Sequence, residues 1–268
     1  MQIAFQFITS FLDHQRIHMP QRPDMLWLSV SSGLRCFDRP LLHYLAQFAT
    51  VAQWEYNQLQ DEPNSFETAL TLLHDYVQQQ SRPLHLAGHG TGGLLGLLYA
   101  QRHPDSVRSL AICSVGVQPT LDWQAHYHVR RRLLPCPRLK VLQQMVYDLF
   151  GCPPPCTMSA LVKLLEQDLE QSLSPHNLFR QLSLPPLEVA VPLLVCGGVD
   201  DVVLDPNQLQ GWESHWRHPH SRLWICPGGR YFFHYFYPQQ VGDEVRSFWQ
   251  QLSLDETVAL APATVGVR

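Results

Sequence analysis

The sequence predicts an α/β domain: a mostly parallel twisted sheet with helices on both faces and an inserted helical segment. Three observations lead there. Apolar runs of strand length alternate with helical periodicity, a glycine-rich turn joins one such strand to a helix, and the alternation lapses once, over about residues 117–188. With 268 residues and 45 % hydrophobic content the chain can bury one sizeable core. One domain is expected over 1–252, followed by a small, Pro/Ala/Val-rich tail over 253–268 that is expected to be flexible.

The elements follow in order. Met1-Gln2-Ile3-Ala4-Phe5-Gln6-Phe7 lacks a basic region ahead of its apolar residues, and Asp13, His14 and Arg16 soon interrupt them, so it reads as early strand and not as a secretory signal. Met25-Leu26-Trp27-Leu28-Ser29-Val30 is a buried strand, and a helix is expected over 40–49, a strand over 51–56 and a helix over 65–79. Leu84, Leu86 and Ala87 then suit a buried strand, and Leu94, Leu95, Leu97, Leu98 and Tyr99 a packed helix that ends before Pro104. A further strand covers 107–115. Within 117–188, helical patterns run over 138–150 and 159–173, separated by Gly151-Cys152-Pro153-Pro154-Pro155-Cys156. Strand character returns at Val189-Ala190-Val191-Pro192-Leu193-Leu194-Val195-Cys196 and again at Ser221-Arg222-Leu223-Trp224-Ile225-Cys226.

Between the strand at 84–87 and its helix stands Gly88-His89-Gly90-Thr91-Gly92-Gly93. A sharp strand-to-helix turn needs small residues two before and two after its central residue, because the backbones crowd there. Gly88, Gly92 and Gly93 supply them, and Gly90 stands at the apex, where a nucleophile would need a side chain. No Lys-Ser/Thr pair follows, so the turn does not read as a phosphate-binding loop.

Together with Val191-Pro192-Leu193-Leu194-Val195-Cys196-Gly197-Gly198-Val199-Asp200-Asp201, this pattern resembles the α/β-hydrolase superfamily over about residues 5–252, as a degenerate member. The resemblance implies an α/β-hydrolase fold with 117–188 as a helical lid. It implies a triad acid at Asp200, one residue from Asp201, and a base in Pro227-Gly228-Gly229-Arg230-Tyr231-Phe232-Phe233-His234. There the base position falls on Tyr231 or, by closer spacing, on Arg230, and neither side chain can serve. His234 comes three residues late. The oxyanion segment is Ser29-Val30-Ser31-Ser32-Gly33, in which Gly33 is the one flexible residue.

A serine hydrolase needs an oxygen nucleophile, a histidine to take its proton and an acid to orient the histidine. With Gly90 at the apex, covalent acyl transfer cannot occur; Thr91 cannot replace it, because His89 would then occupy a crowded position. The expected function is that of a catalytically inactive protein binding a partner protein or a small apolar ligand, as the N-myc downstream-regulated family and the gibberellin receptors, which this chain resembles in fold, use theirs. Two alternatives stand beside it: a hydrolase with residual activity on esters or thioesters through Asp200 and His234, and a structural subunit of a larger assembly. The pocket is expected to be lined by Ser31, Ser32, Gly33, His89, Gly90, Thr91, Asp200, Tyr231, Phe232 and His234.

The aromatic run from Tyr231 to Tyr237 would plug that pocket, line an apolar site, or simply pack. Arg130, Arg131 and Arg132, with Arg138 and Lys140, make the lid locally basic and give a docking site for an acidic partner or anionic lipid heads. The formal net charge of -4 offers no general reason to bind nucleic acid or an anionic membrane. Cys136, Cys152 and Cys156 with His126 and His128 are metal-ligand types at spacings that match no strong template, so neither metal nor cofactor is expected. The 7 cysteines are odd in number and several fall in buried strands, which favours the cytoplasm or another reducing compartment. No apolar run reaches the roughly 20 residues that cross a bilayer.

Overall fold

The strands over 25–29, 51–56, 84–89, 107–113 and 193–198 bury both faces almost throughout, which is why these runs read as nearly continuous apolar segments. The computed structural model describes residues 3–8, 22–57, 65–151, 157–177, 180–181 and 188–260. In chain order the strands are β1 (Ile3–Ile8), β2 (Met25–Ser29), β3 (Val51–Tyr56), β4 (Leu84–His89), β5 (Val107–Cys113), the short pair β6 (His176–Asn177) and β7 (Arg180–Gln181), β8 (Leu193–Gly198) and β9 (Arg222–Cys226). The helices are α1 (Arg39–Leu45), α2 (Phe66–Gln78), α3 (Thr91–Arg102), α4 (Trp123–Leu133), α5 (Arg138–Phe150), α6 (Met158–Gln171), α7 (Pro206–Gln210), α8 (Phe233–Phe236) and α9 (Pro238–Leu260).

Among the described residues seven strands form the main sheet, in the order β1-β3-β2-β4-β5-β8-β9. Only the edge strand β1 is antiparallel, pairing with β3; the other pairings are parallel. One face, carrying Leu26, Leu28, Trp54, Leu86, Leu110 and Val195, packs under α2 and α3. The opposite face, with Met25, Trp27, Ala87, Cys113 and Cys196, packs under α1 and α9. The parallel strands all point their carboxyl ends one way, and ligand sites of open α/β sheets lie beyond that edge.

A third apolar cluster sits over this edge. It joins Trp123 and Tyr127 of α4, Leu142, Met145 and Leu149 of α5, and Leu161 and Leu165 of α6 to Phe37, Tyr231 and Phe232. The described residues between β5 and β8 thus form α4, α5, α6 and the short β6–β7 pair, inserted between two strands of the main sheet.

Two boundaries differ from expectation. Helix α4, unanticipated from the sequence, starts where the Asp122 carboxylate accepts the Ala125 N–H, an N-cap. Helix α9 runs to Leu260, well into the stretch read as tail, because no proline follows Pro238 until Pro262. Residues 261–268, like Cys152 and Cys156, lie outside the described residues.

Candidate functional site at the end of β4

Gly90 stands between β4 and α3 with φ 52° and ψ -124°, left-handed backbone that L side chains rarely adopt. Its N–H donates to the Cys113 carbonyl at 2.9 Å, fixing the turn to the neighbouring strand. The crowding expected on either side is present. A Cβ on Gly88 would lie 2.6 Å from the Gly92 carbonyl carbon, and one on Gly92 would lie 2.2 Å from the Leu28 carbonyl oxygen. At Gly90 itself a Cβ would meet no backbone. It would meet the phenolic oxygen of Tyr231, 2.6 Å away.

Tyr231 is fully enclosed, and burial, followed by the charges of Asp122, Asp201 and Asp168, pushes its phenol well above the usual range. It enters from the loop after β9 and packs edge-on to His89, whose Nε2–H donates to the Tyr231 carbonyl at 2.9 Å. Phe232 stacks on Phe150 of the insertion with ring centroids 4.7 Å apart. Arg230 turns the other way and donates to the Tyr147 carbonyl of α5 at 3.0 Å. Of the two residues open for the base position, Tyr231 therefore faces Gly90, and Arg230 ties the loop to the insertion.

The two aspartates weighed for the acid position face opposite ways. Asp200 is exposed on the turn after β8, and Asp201 points inward. The Asp201 carboxylate accepts the N–H groups of Val203 at 2.8 Å and Leu204 at 3.1 Å, and receives the Ser114 hydroxyl at 3.4 Å. Burial raises it to about 6, against those N–H donations. The same Ser114 hydroxyl donates to the Tyr231 carbonyl at 2.8 Å, with Ser114 itself held at φ 52°.

His234 is likewise committed elsewhere. It has no exposure, and its Nε2 lies 3.0 Å from Asp38 Oδ1, while the Trp27 indole N–H donates to Asp38 Oδ2 at 3.0 Å. Its Nδ1 is buried without a partner. Burial lowers His234 to about 3; burial and then the His234 charge lower His89 to about 3; burial raises Asp38 to about 6. Both imidazoles are neutral at physiological pH, and neither contacts Asp200 or Asp201. The pairing of Asp200 with His234 expected for residual hydrolysis is absent from the structure.

The remaining space is a cavity of about 30 Å³, lined among others by Ser31, Asp38, His89, Gly90, Thr91 and Tyr231. That volume admits a water and excludes an acyl chain. Ser32, Gly33, Asp200 and His234 do not line it, and Gly33 has an ordinary negative-φ backbone with the Leu164 carbonyl packed over it. The expected apolar ligand pocket at this turn is thus closed by Tyr231 and Phe232. Phe233 and His234 sit in the sheet core, and Phe236 is exposed, so the aromatic run divides between plug and packing.

Sequence reasoning missed three buried acids around the cavity. Asp38 belongs to the histidine pair, Asp122 caps α4 and accepts the Thr91 hydroxyl at 3.4 Å, and Asp168 of α6 accepts from Ser172 and Gln124. Burial raises Asp168 to about 6, opposed by these donors and by Ser31. Asp168 was readable: it continues the apolar stripe of Leu161 and Leu165 at helical spacing, where an acid must be buried. Among the described residues no group of three His, Cys, Asp or Glu side chains is arranged to hold a metal ion.

No family model matches the chain. An uncharacterized protein of Synechocystis sp. is 43 % identical over 239 residues, which is 89 % of this chain and 95 % of that protein. An uncharacterized protein of Nostoc sp. is 44 % identical over 227 residues, 85 % of this chain and 90 % of that one. Among solved structures, the enol-lactonase from Burkholderia xenovorans superposes with TM-score 0.65 at 14 % identity, covering 92 % of this chain and 96 % of that one. Proline iminopeptidase from Mycobacterium smegmatis does so with TM-score 0.63 at 19 % identity, covering 95 % and 96 %. The chain has the α/β-hydrolase fold and belongs to the family of these cyanobacterial proteins. This α/β-hydrolase-fold protein keeps the backbone of the sharp turn after β4 and places a tyrosine hydroxyl where a side chain on the apex residue would go.

Proposed function

We propose that this α/β-hydrolase-fold protein performs no acyl transfer and acts by binding a partner at its surface. The observation that carries the reading is the Tyr231 oxygen 2.6 Å from the position of a Gly90 Cβ, beside a cavity of about 30 Å³. Nucleophile and base are both absent, and the volume that would hold an acyl group is occupied by side chain. In this reading Tyr231 stands at the base position and Asp201 at the acid position, and the insertion is a fixed cover welded down by Phe232 and Arg230. The buried thiols of Cys113, Cys196 and Cys226 support residence in a reducing compartment. A role as a structural subunit of a larger assembly is a form of the same surface-binding reading.

The test is labelling with a fluorophosphonate probe together with turnover of short p-nitrophenyl esters. The wild-type chain is expected to take no label and to give no turnover above buffer. The double variant G90S/Y231H, which supplies an oxygen at the apex and an imidazole in the space left by the phenol, is expected to gain labelling. Turnover by the wild type that Asp201→Ala or His234→Ala abolishes would overturn the proposal.

A further inference from the structure

The surface that would do the binding is the outer turn of the insertion. Between Val129 and Lys140, four large apolar side chains face solvent: Val129 at 55 % exposure, Leu133 at 72 %, Leu134 at 47 % and Leu139 at 54 %. Apart from Cys136, every residue from Arg131 to Lys140 is exposed, so the end of α4, the Leu134-Pro135-Cys136-Pro137 link and the start of α5 form a protruding knuckle and not a groove. Tyr147, 48 % exposed, lies further along α5.

The same knuckle concentrates positive charge. Residues 123–147 contain Arg130, Arg131, Arg132, Arg138 and Lys140 and no Asp or Glu, in a chain of net charge -4. Arg130 is neutralised by Asp148, and Arg138 by Glu166 and Glu170. Arg131 donates to the Cys136 carbonyl at 3.0 Å, and among the described residues Arg131, Arg132 and Lys140 have no carboxylate partner. Three uncompensated cations are thus interleaved with the exposed Leu133, Leu134 and Leu139 on a convex tip, while Val129 lines the neighbouring hollow with Leu121, Ala125 and Val202.

We propose that this knuckle docks on an anionic lipid bilayer; the proposal names the partner of the binding role argued above and rests on that reading. A bilayer surface accepts both halves of the pattern at once. Leucines enter the boundary between headgroups and acyl chains, while guanidinium and ammonium groups meet lipid phosphates. A convex tip also suits a deformable plane, whereas a folded acidic protein would have to present a matching apolar hollow. Among the described residues no helix is long and apolar enough to span a membrane, so the contact is peripheral.

The experiment is flotation of the full chain with vesicles of phosphatidylcholine containing about 30 % phosphatidylglycerol, against phosphatidylcholine alone, at about 0.1 M and 1 M salt. Binding is expected on the anionic vesicles at low salt, and at least about tenfold weaker on neutral vesicles or at high salt. The variant R131Q/R132Q/K140Q is expected to weaken anionic-vesicle binding roughly a hundredfold, at about fivefold per cation. L133S/L134S/L139S is expected to weaken it about tenfold or more while keeping the wild-type thermal unfolding profile. Failure of the wild type to float with anionic vesicles, or flotation that neither variant weakens, would overturn the proposal, including where the same residues turn out to hold an acidic protein. A chain that takes the fluorophosphonate label would overturn the non-catalytic reading and leave the flotation result as it stands.

Discussion

The corner after β4 and the outer turn of the insertion use the same classes of residue in opposite ways. At the corner, acids and imidazoles turn inward: Asp38, Asp201 and His234 are buried, His89 is half-buried, and Tyr231 and Phe232 fill most of the space. At the knuckle, leucines are outside, with arginines between them. Polar groups held in such a corner preserve a shape and, in the function proposed above, meet no substrate. Apolar groups held in solvent add nothing to the core and are available to whatever covers them. The contrast supports moving the functional surface of this fold from the sheet edge to the outside of the insertion.

The severest way to break the corner is through its backbone contacts. A methyl at position 92 would stand 2.2 Å from the Leu28 carbonyl oxygen on β2. No rotamer relieves a collision of Cβ with backbone, so α3 would have to lift from the sheet. Gly92→Ala is expected to cost about 4 kcal/mol or more, in the range reserved for disrupted cores. Recovery of soluble, wild-type-stable Gly92→Ala by urea denaturation would show that the turn is looser than the structure has it.

How much of this was legible follows from the range of each signal. The turn was readable because its glycines answer local crowding over Gly88 to Gly93, and the strands because buried parallel strands are apolar throughout. The identity of the inward aspartate was not readable, since Asp200 and Asp201 differ only in which way one tight turn aims them. The tie of His234 to Asp38 spans 196 residues and leaves no local pattern. Tyr231 could be placed near the base position by counting, but that its oxygen covers Gly90 depends on how the loop after β9 meets the insertion. Helix α4 was missed because Arg130, Arg131 and Arg132 mask its apolar spacing, although Asp122 offers a cap.

Burial of acids in the corner can be sharpened with pH. Asp168 is raised to about 6 from 3.8 by burial, so folding favours its protonated form. Its contribution to stability is greatest below the unfolded value and is lost as pH rises through the folded one. Between about pH 4 and 7 the wild type should therefore lose roughly 2.5 kcal/mol relative to Asp168→Asn. His85, His89 and His234, lowered by burial to about 4, 3 and 3, act with the opposite sign, removing stability as pH falls below about 6.5. They are common to both chains and cancel in the difference. Urea midpoints for the pair across that window check it, and a pH-independent difference would mean that Asp168 is solvated.

The fit of Tyr231 over Gly90 predicts a smaller, coupled effect. Gly90→Ala combines left-handed strain at φ 52° with a contact against the phenolic oxygen, and is expected to cost about 2 kcal/mol. Tyr231→Phe removes that oxygen and leaves the ring carbon that bore it 3.6 Å from the new methyl, an ordinary contact. The double variant should recover about 1 kcal/mol relative to the sum of the single changes. A coupling of zero would mean that the phenol does not cover the apex.

The knuckle predicts the smallest stability change. Leu133 and Leu134 are 72 % and 47 % exposed at the end of α4, so neither contributes much burial to the core. Leu133→Ser with Leu134→Ser is expected to move stability by no more than about 0.5 kcal/mol, the range of surface substitutions. Thermal unfolding of the isolated chain measures this, and repeating it with anionic vesicles separates the two regions further. Bound vesicles should stabilise the wild type by mass action and leave the serine variant where it was. A loss of several kcal/mol in the isolated chain would place these leucines in the core and erase the contrast with the closed corner.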